Sequence, residues 1–164
     1  MNDKKIIIGF VSVTTLILLG GIFLLSKSGN SQTIISSQNA KASVDQKTFD
    51  WGKIDMKAGN VNKTFTIKNT GTDTLKLTKI RTSCHCTKAQ AKIGKTLSPF
   101  FGMSSQSLWI GEVPPGQEAQ LEVIFDPAYH GPNGVGPITR YISLETNDPN
   151  NSAVEFTLTA NVTK

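Results

Sequence analysis

From about residue 47 onward, apolar and polar side chains alternate in short runs, broken by turn residues every eight to twelve positions or so. That is the pattern of strands that bury one face. In residues 61–69, Val61, Phe65 and Ile67 share a side; a turn at Asn69-Thr70-Gly71-Thr72-Asp73 follows, then Leu75-Lys76-Leu77-Thr78. Further strands are predicted over 119–125, with Leu121, Val123 and Phe125 inward, over 138–144, and over 154–162, where Val154, Phe156, Leu158, Ala160 and Val162 alternate with polar neighbours. Turns fall at Pro114-Pro115-Gly116, Asp126-Pro127, Gly131-Pro132-Asn133-Gly134 and Asn147-Asp148-Pro149, where glycine, proline and Asx chemistry favours them. Regular short strands at this spacing predict an all-β, immunoglobulin-like antiparallel β-sandwich over residues 47–164.

The first quarter of the chain reads differently. Residues 6–25, IIIGFVSVTTLILLGGIFLL, hold no charge and are apolar on every face. At about 1.5 Å of rise per residue, such a helix covers roughly the 30 Å of a bilayer's hydrocarbon core. One N-terminal transmembrane helix is therefore expected at 6–25, after a cytoplasmic tail at 1–5. A cleaved secretory signal is the weaker alternative, because the run is long and no A-x-A site follows it directly. Lys4 and Lys5 precede the span and only Lys27 and neutral polar residues follow it, which orients the N-terminus to the cytoplasm and the sandwich to the outside. Residues 26–46, rich in Ser, Gln and Asn, read as a flexible linker. The expected location is thus the cell membrane, single-pass, with an extracytoplasmic domain.

Composition adds little beyond this. A formal net charge of +5 in 164 residues is mild, and the lysines alternate along strands as a solvated face would, so nucleic acid is excluded as a partner. Phosphate-cradling loops, His-Glu-x-x-His, a Gly-x-Ser-x-Gly elbow and dinucleotide glycines are all missing from the sequence, and no enzymatic activity is expected.

The order of motifs resembles a bacterial family of exported immunoglobulin-like domains, the domain of unknown function numbered 1573. The residues that carry the resemblance are Phe49-Asp50-Trp51-Gly52, Phe65-Thr66-Ile67-Lys68-Asn69-Thr70-Gly71, Leu75-Lys76-Leu77, Ser83-Cys84-His85-Cys86-Thr87, Pro115-Gly116, Phe125-Asp126-Pro127 and Thr146-Asn147-Asp148-Pro149. The wider superfamily includes domains similar to those of cilium and centrosome proteins and to major sperm protein, which act chiefly as interaction modules. The resemblance implies an extracytoplasmic sandwich that binds or scaffolds another protein. Two departures from the family pattern are His85, where the family commonly has Gly, and the long segment 88–113.

Both cysteines flank one of the two histidines, as Cys84-His85-Cys86. If the preceding strand runs on to Thr87, period-two alternation puts the cysteines on one face and His85 on the other. Three readings compete. The default for an isolated pair is structural: a local disulfide, or small buried side chains at the end of a core strand. The next is a metal site, because thiolates suit soft ions. Cu(I) would take Cys84 and Cys86 with Met103 or His130; Zn is less favoured, since a closed Cys/His site would consume Cys84, His85, Cys86 and His130, the entire stock. The last is redox, a tight and easily reduced bridge with His85 and Arg81 nearby.

Residues 97–113 concentrate Phe100, Phe101, Met103, Leu108, Trp109 and Ile110. Such a loop either covers one end of the sandwich or, if exposed, docks a partner through Phe101 and Trp109. The sequence therefore predicts a membrane-anchored binding or scaffolding module, with an extracytoplasmic copper-binding or thiol-redox protein as the alternative. No cofactor is required by the first.

Overall fold

The computed structural model describes residues 3–26 and 34–164, which fall into two units divided after residue 33. The remainder of the expected tail and linker, residues 1–2 and 27–33, lies outside the described residues. In the first unit, α1 spans Asp3–Ser26. Its two threonines donate to their own helix, Thr14 Oγ1 to Val11 O at 3.0 Å and Thr15 Oγ1 to the same oxygen at 2.8 Å. Leu16, Ile17, Leu18 and Leu19 are exposed. Among the described residues no helix is long and apolar enough to cross a membrane, so the expected span is not shown by the structure.

The second unit is the sandwich. Its strands are β1 (Ala42–Val44), β2 (Thr48–Asp55), β3 (Val61–Asn69), β4 (Leu75–Thr82), β5 (Thr87–Ile93), β6 (Thr96–Leu97), β7 (Ile110–Val113), β8 (Glu118–Phe125), β9 (Gly136–Thr146) and β10 (Ala153–Thr163). One sheet has the order β1-β3-β8-β5-β6 and the other β2-β10-β9-β4-β7. The inward faces read from sequence meet between them: Phe65, Ile67, Leu121 and Val123 from one sheet face Leu75, Leu77, Ile142, Leu144, Phe156 and Leu158 from the other. Removing those side chains from water is the main stabilising term of such a fold. A smaller cluster at one end joins Ile54, Phe125, Ala160, Val162 and Cys86, with Trp51 stacked on Phe125 at 5.7 Å between ring centroids.

Two expectations need correction. The sandwich is not wholly antiparallel: β2 lies parallel to β10, with Phe49 opposite Leu158. These strands stand at opposite ends of the domain sequence, so no hairpin forces them to run opposite ways. Residues 34–46 are not all linker, because β1 pairs with the end of β3 and Ala40 is fully buried. The fit depends on Gly71: a Cβ there would stand 2.8 Å from Lys41 N and 3.0 Å from Asn39 C, both rigid backbone.

Buried polar residues close the remaining seams, as buried donors and acceptors require. Asn69, wholly buried, donates through Nδ2 to Asp73 O and Val113 O, each at 2.8 Å, and accepts from Gly71 N at 3.0 Å, tying β3 to the end of β7 in the opposite sheet. Asn147 bridges Thr74 O and Lys76 N. Asp148 accepts from Ala42 N at 2.9 Å and so holds β1 in place.

Candidate functional site

The Cys84-His85-Cys86 stretch occupies the corner where the chain leaves β4 in one sheet and enters β5 in the other. The straight strand assumed from period-two alternation does not form. β4 carries a bulge after Thr78, with Lys79 at a φ of 50°, and the buried positions change from Leu75 and Leu77 to Ile80 and Thr82. A bulge shifts the side-chain phase by one residue. The strand then stops at Thr82, whose hydroxyl lies 3.0 Å from the carbonyl oxygens of both Cys84 and Thr87, while Thr87 N donates to Cys84 O. This tight corner joins Cys84 to Cys86 as a disulfide, with their Cα atoms 5.2 Å apart. Cys86 is buried at 3 % exposure and Cys84 is half-buried, both against the smaller core cluster.

Two residues of the β8–β9 region reach the sulfurs. Asp126 N donates to Cys86 O and Asp126 Oδ1 accepts from Ala128 N, which folds the loop back over the corner. That places His130 Nε2 3.3 Å from Cys84 Sγ, with the Tyr129 ring edge-on to the imidazole. From β9, Arg140 Nε donates to Cys86 Sγ at 3.1 Å. Its guanidinium lies 5.5 Å from the Phe125 ring centroid and donates to Thr139 O at 2.8 Å. Burial pulls the Arg140 pKa below its ordinary value, yet a guanidinium keeps its proton at neutral pH.

Of the residues assigned to a metal from sequence, Cys84, Cys86 and His130 are brought together, their donor atoms all within 4.8 Å of one another. Reduced, they would offer two thiolates and an imidazole to one soft ion, a donor set that suits Cu(I). A closed Zn site needs a fourth ligand, and among the described residues no further Cys, His, Asp or Glu joins the group. His85 and Met103 do not join it either: they line a separate shallow cleft with Phe100 and Phe101. Arg81 is exposed on β4. The guanidinium at the sulfurs is that of Arg140, a position inside a strand run that no local motif singles out.

The aromatic segment divides. Phe101 is buried at 2 % exposure and bridges Ala89 through its backbone, so it takes the covering alternative and not the docking one. Trp109 is half-buried, 5.5 Å from the Phe101 centroid. Its ring lies over Gly111, where an added Cβ would approach Trp109 Cζ2 to 2.6 Å and Ile93 Cδ1 to 2.7 Å. Trp109, Ile93, Gly94, Thr96 and Pro114 line a groove of about 660 Å³ between β7 and the β5–β6 hairpin, the edge strands of the two sheets. β7 pairs only with β4. Lys76 N turns away toward Asn147 Oδ1, so by alternation Gly111 and Val113 face β4 and the backbone groups of Ile110 and Glu112 face the open side.

A family model described as "HYDIN/CFA65/VesB-like, Ig-like domain" matches residues 40–161. It supports the Ig-like, exported type of family that the motif order implies, without reaching the narrower family numbered 1573. No curated protein matches the chain. Among solved structures, a protein of unknown function from Porphyromonas gingivalis shares 20 % identity over 80 % of this chain, with a TM-score of 0.57; the chain spans about half of that protein, 51 %. The ASH / PapD-like domain of human CEP192 shares 12 % identity over 84 % of this chain and 95 % of its own length, at a TM-score of 0.49. The secreted serine protease VesC from Vibrio cholerae shares 11 % over 77 % of this chain and 23 % of its own, at 0.45.

Proposed function

The chain belongs to the HYDIN/CFA65/VesB-like, Ig-like domain family, and on that footing we propose that it is a protein-binding module held at the outer face of the cell membrane. The observation that carries the binding reading is the groove beside β7, where Trp109 and Ile93 supply an apolar wall and an unpaired strand edge supplies backbone donors and acceptors. Its occupant is an extended segment of another exported protein, added as a strand alongside β7 with one apolar side chain against Trp109. The anchor reading rests on the sequence alone, on the twenty charge-free positions 6–25, a run of the length a bilayer's hydrocarbon core requires.

The test selects extended peptides on the full chain in detergent. Bound peptides are expected to protect the amides of Ile110 and Glu112 from hydrogen exchange and to be lost in Trp109→Ala. Glu112→Pro removes a donor only on the open side of β7 and is expected to weaken them at least tenfold. Ligands indifferent to both substitutions reject the groove, and full extraction of the chain by alkaline carbonate rejects the anchor.

A second reading, an extracytoplasmic copper-binding or thiol-redox protein, is favoured by the convergence of Cys84, Cys86 and His130. Its metal branch is tested by Cu(I) titration of the reduced chain against Cys84→Ser/Cys86→Ser. Equal affinity of the two chains removes that branch.

A further inference from the structure

The geometry points to a direction of exchange at the Cys84–Cys86 disulfide: Cys84 receives an incoming thiolate, and Cys86 leaves as a thiolate held by Arg140. This deepens the thiol-redox reading and rests on it. Its substrate class is a dithiol, or in reverse a disulfide, of another exported molecule.

Access distinguishes the two sulfurs. Cys84 is half-buried at the corner, whereas Cys86 is 3 % exposed within the smaller core cluster. Attack requires the nucleophile to reach the sulfur, and of the two residues Cys84 is the more accessible. The leaving side is equally distinct. Arg140 Nε donates to Cys86 Sγ at 3.1 Å, while Phe125 and Thr139 O fix the guanidinium plane. Among the described residues Arg140 has no carboxylate partner, so its charge is not neutralised and faces the sulfur on which negative charge develops. A leaving thiol stabilised as its anion departs faster.

One thiolate of the dithiol attacks Cys84 Sγ, a bond forms between the two sulfurs, and the Cys84–Cys86 bond breaks with its electron pair going to Cys86 Sγ beside Arg140. The second thiolate of the dithiol then attacks the first, and Cys84 departs as a thiolate next to His130 Nε2, 3.3 Å away. Two electrons have passed to the pair, the dithiol has become a disulfide, and its two protons end on the cysteines or in solvent. Only His85 lies between the bridged residues, so opening the bond releases almost no chain entropy and leaves the sandwich folded.

The experiment uses the full chain in detergent, with dithiothreitol as the dithiol probe and oxidised glutathione as the disulfide probe. Arg140→Gln is expected to slow reduction by dithiothreitol about tenfold, as loss of a charge-assisted hydrogen bond to the leaving sulfur implies, and Arg140→Lys to recover most of it, with thermal melting unchanged in both. Cys86→Ser, which retains Cys84, is expected to form a mixed disulfide with glutathione at least tenfold faster than Cys84→Ser. Equal rates in the two cysteine variants, or an Arg140→Gln rate equal to wild type, overturn the direction while leaving exchange itself standing. A wild-type pair that neither reduces nor re-forms overturns the redox reading and this inference together.

Discussion

Replacing Asn69 tests whether one buried amide joins the two sheets where β3 meets the end of β7. Its three hydrogen bonds run to Asp73 O, Val113 O and Gly71 N, and at a net value of about 1 kcal/mol each their loss in Asn69→Ala amounts to about 3 kcal/mol, more where a buried partner is left unsatisfied. Asn69→Asp is the sharper probe. It keeps the shape and the acceptor for Gly71 N but turns the donor nitrogen Nδ2 into a carboxylate oxygen facing two carbonyls, so it is expected to cost at least as much as alanine at neutral pH. Burial and those two carbonyls raise the pKa of the new carboxyl above its unfolded value of about 3.9. The folded variant therefore binds more protons than the unfolded one, and its deficit grows with rising pH and shrinks as pH falls toward 4. Denaturant unfolding at pH 7.5 and pH 5, followed by tryptophan fluorescence, gives both quantities. An Asn69→Asp chain within about 0.5 kcal/mol of wild type at pH 7.5, or a deficit that deepens on acidification, would refute the reasoning, since single bonds of this kind are worth more than that.

Burial pushes Asp148 up, but hydrogen bonds from the Asn151 side chain and the backbone N–H groups of Ala42, Asn150 and Asn151 outweigh it and hold the carboxyl below its ordinary value. The stability this gives is present above the unfolded pKa and lost as pH falls through the folded one, so acid titration of unfolding is expected to fall away below about pH 4 and to flatten in Asp148→Asn. Gly71→Ala drives a Cβ into the backbone of residues 39–41 and endangers the bonds from Thr70 N to Lys41 O and from Thr72 N to Asn39 O. A loss of about 2 kcal/mol, with faster proteolysis confined to residues 34–46, is the expected result; unchanged cleavage there would contradict the close packing.

Alternation made β3, β4, β8, β9 and β10 legible because each buries one face, as Phe65 and Ile67 do in β3 and Phe156 and Leu158 in β10, whereas β5, central in its sheet, buries only Thr87, Ala89 and Ala91 and gives no such signal. It failed where the period breaks. The bulge at Lys79 moves Ile80 and Thr82 inward and β4 ends at Thr82, so the strand does not run on through the cysteines, although the two sulfurs do stand together and His85 apart from them. β1, β6 and β7 are only three, two and four residues long, too short for a period to register; β1 lies in a polar stretch that reads as a linker, and β7 closes the aromatic segment that reads as a loop. At the site, the cysteines and His130 were visible as reactive residue types, whereas Met103 and His85 were chosen for chemistry alone and the chain path takes them elsewhere. Phe101 shows the same limit: an aromatic in an irregular segment carries no sign of whether it points in or out. Arg140 had no distinguishing neighbour in sequence, because its role comes from β9 passing behind the β4–β5 corner.

The parallel alignment of β2 with β10 sets how the domain answers a mechanical load. A pull applied at Thr48 and at Thr163 drags the two strands in opposite directions along a shared axis, from Thr157 opposite Thr48 to Thr163 opposite Asp55. The cross-links between them then stretch together, where a hairpin would unzip rung by rung. A tug between those two positions therefore loads the β2–β10 ladder in shear.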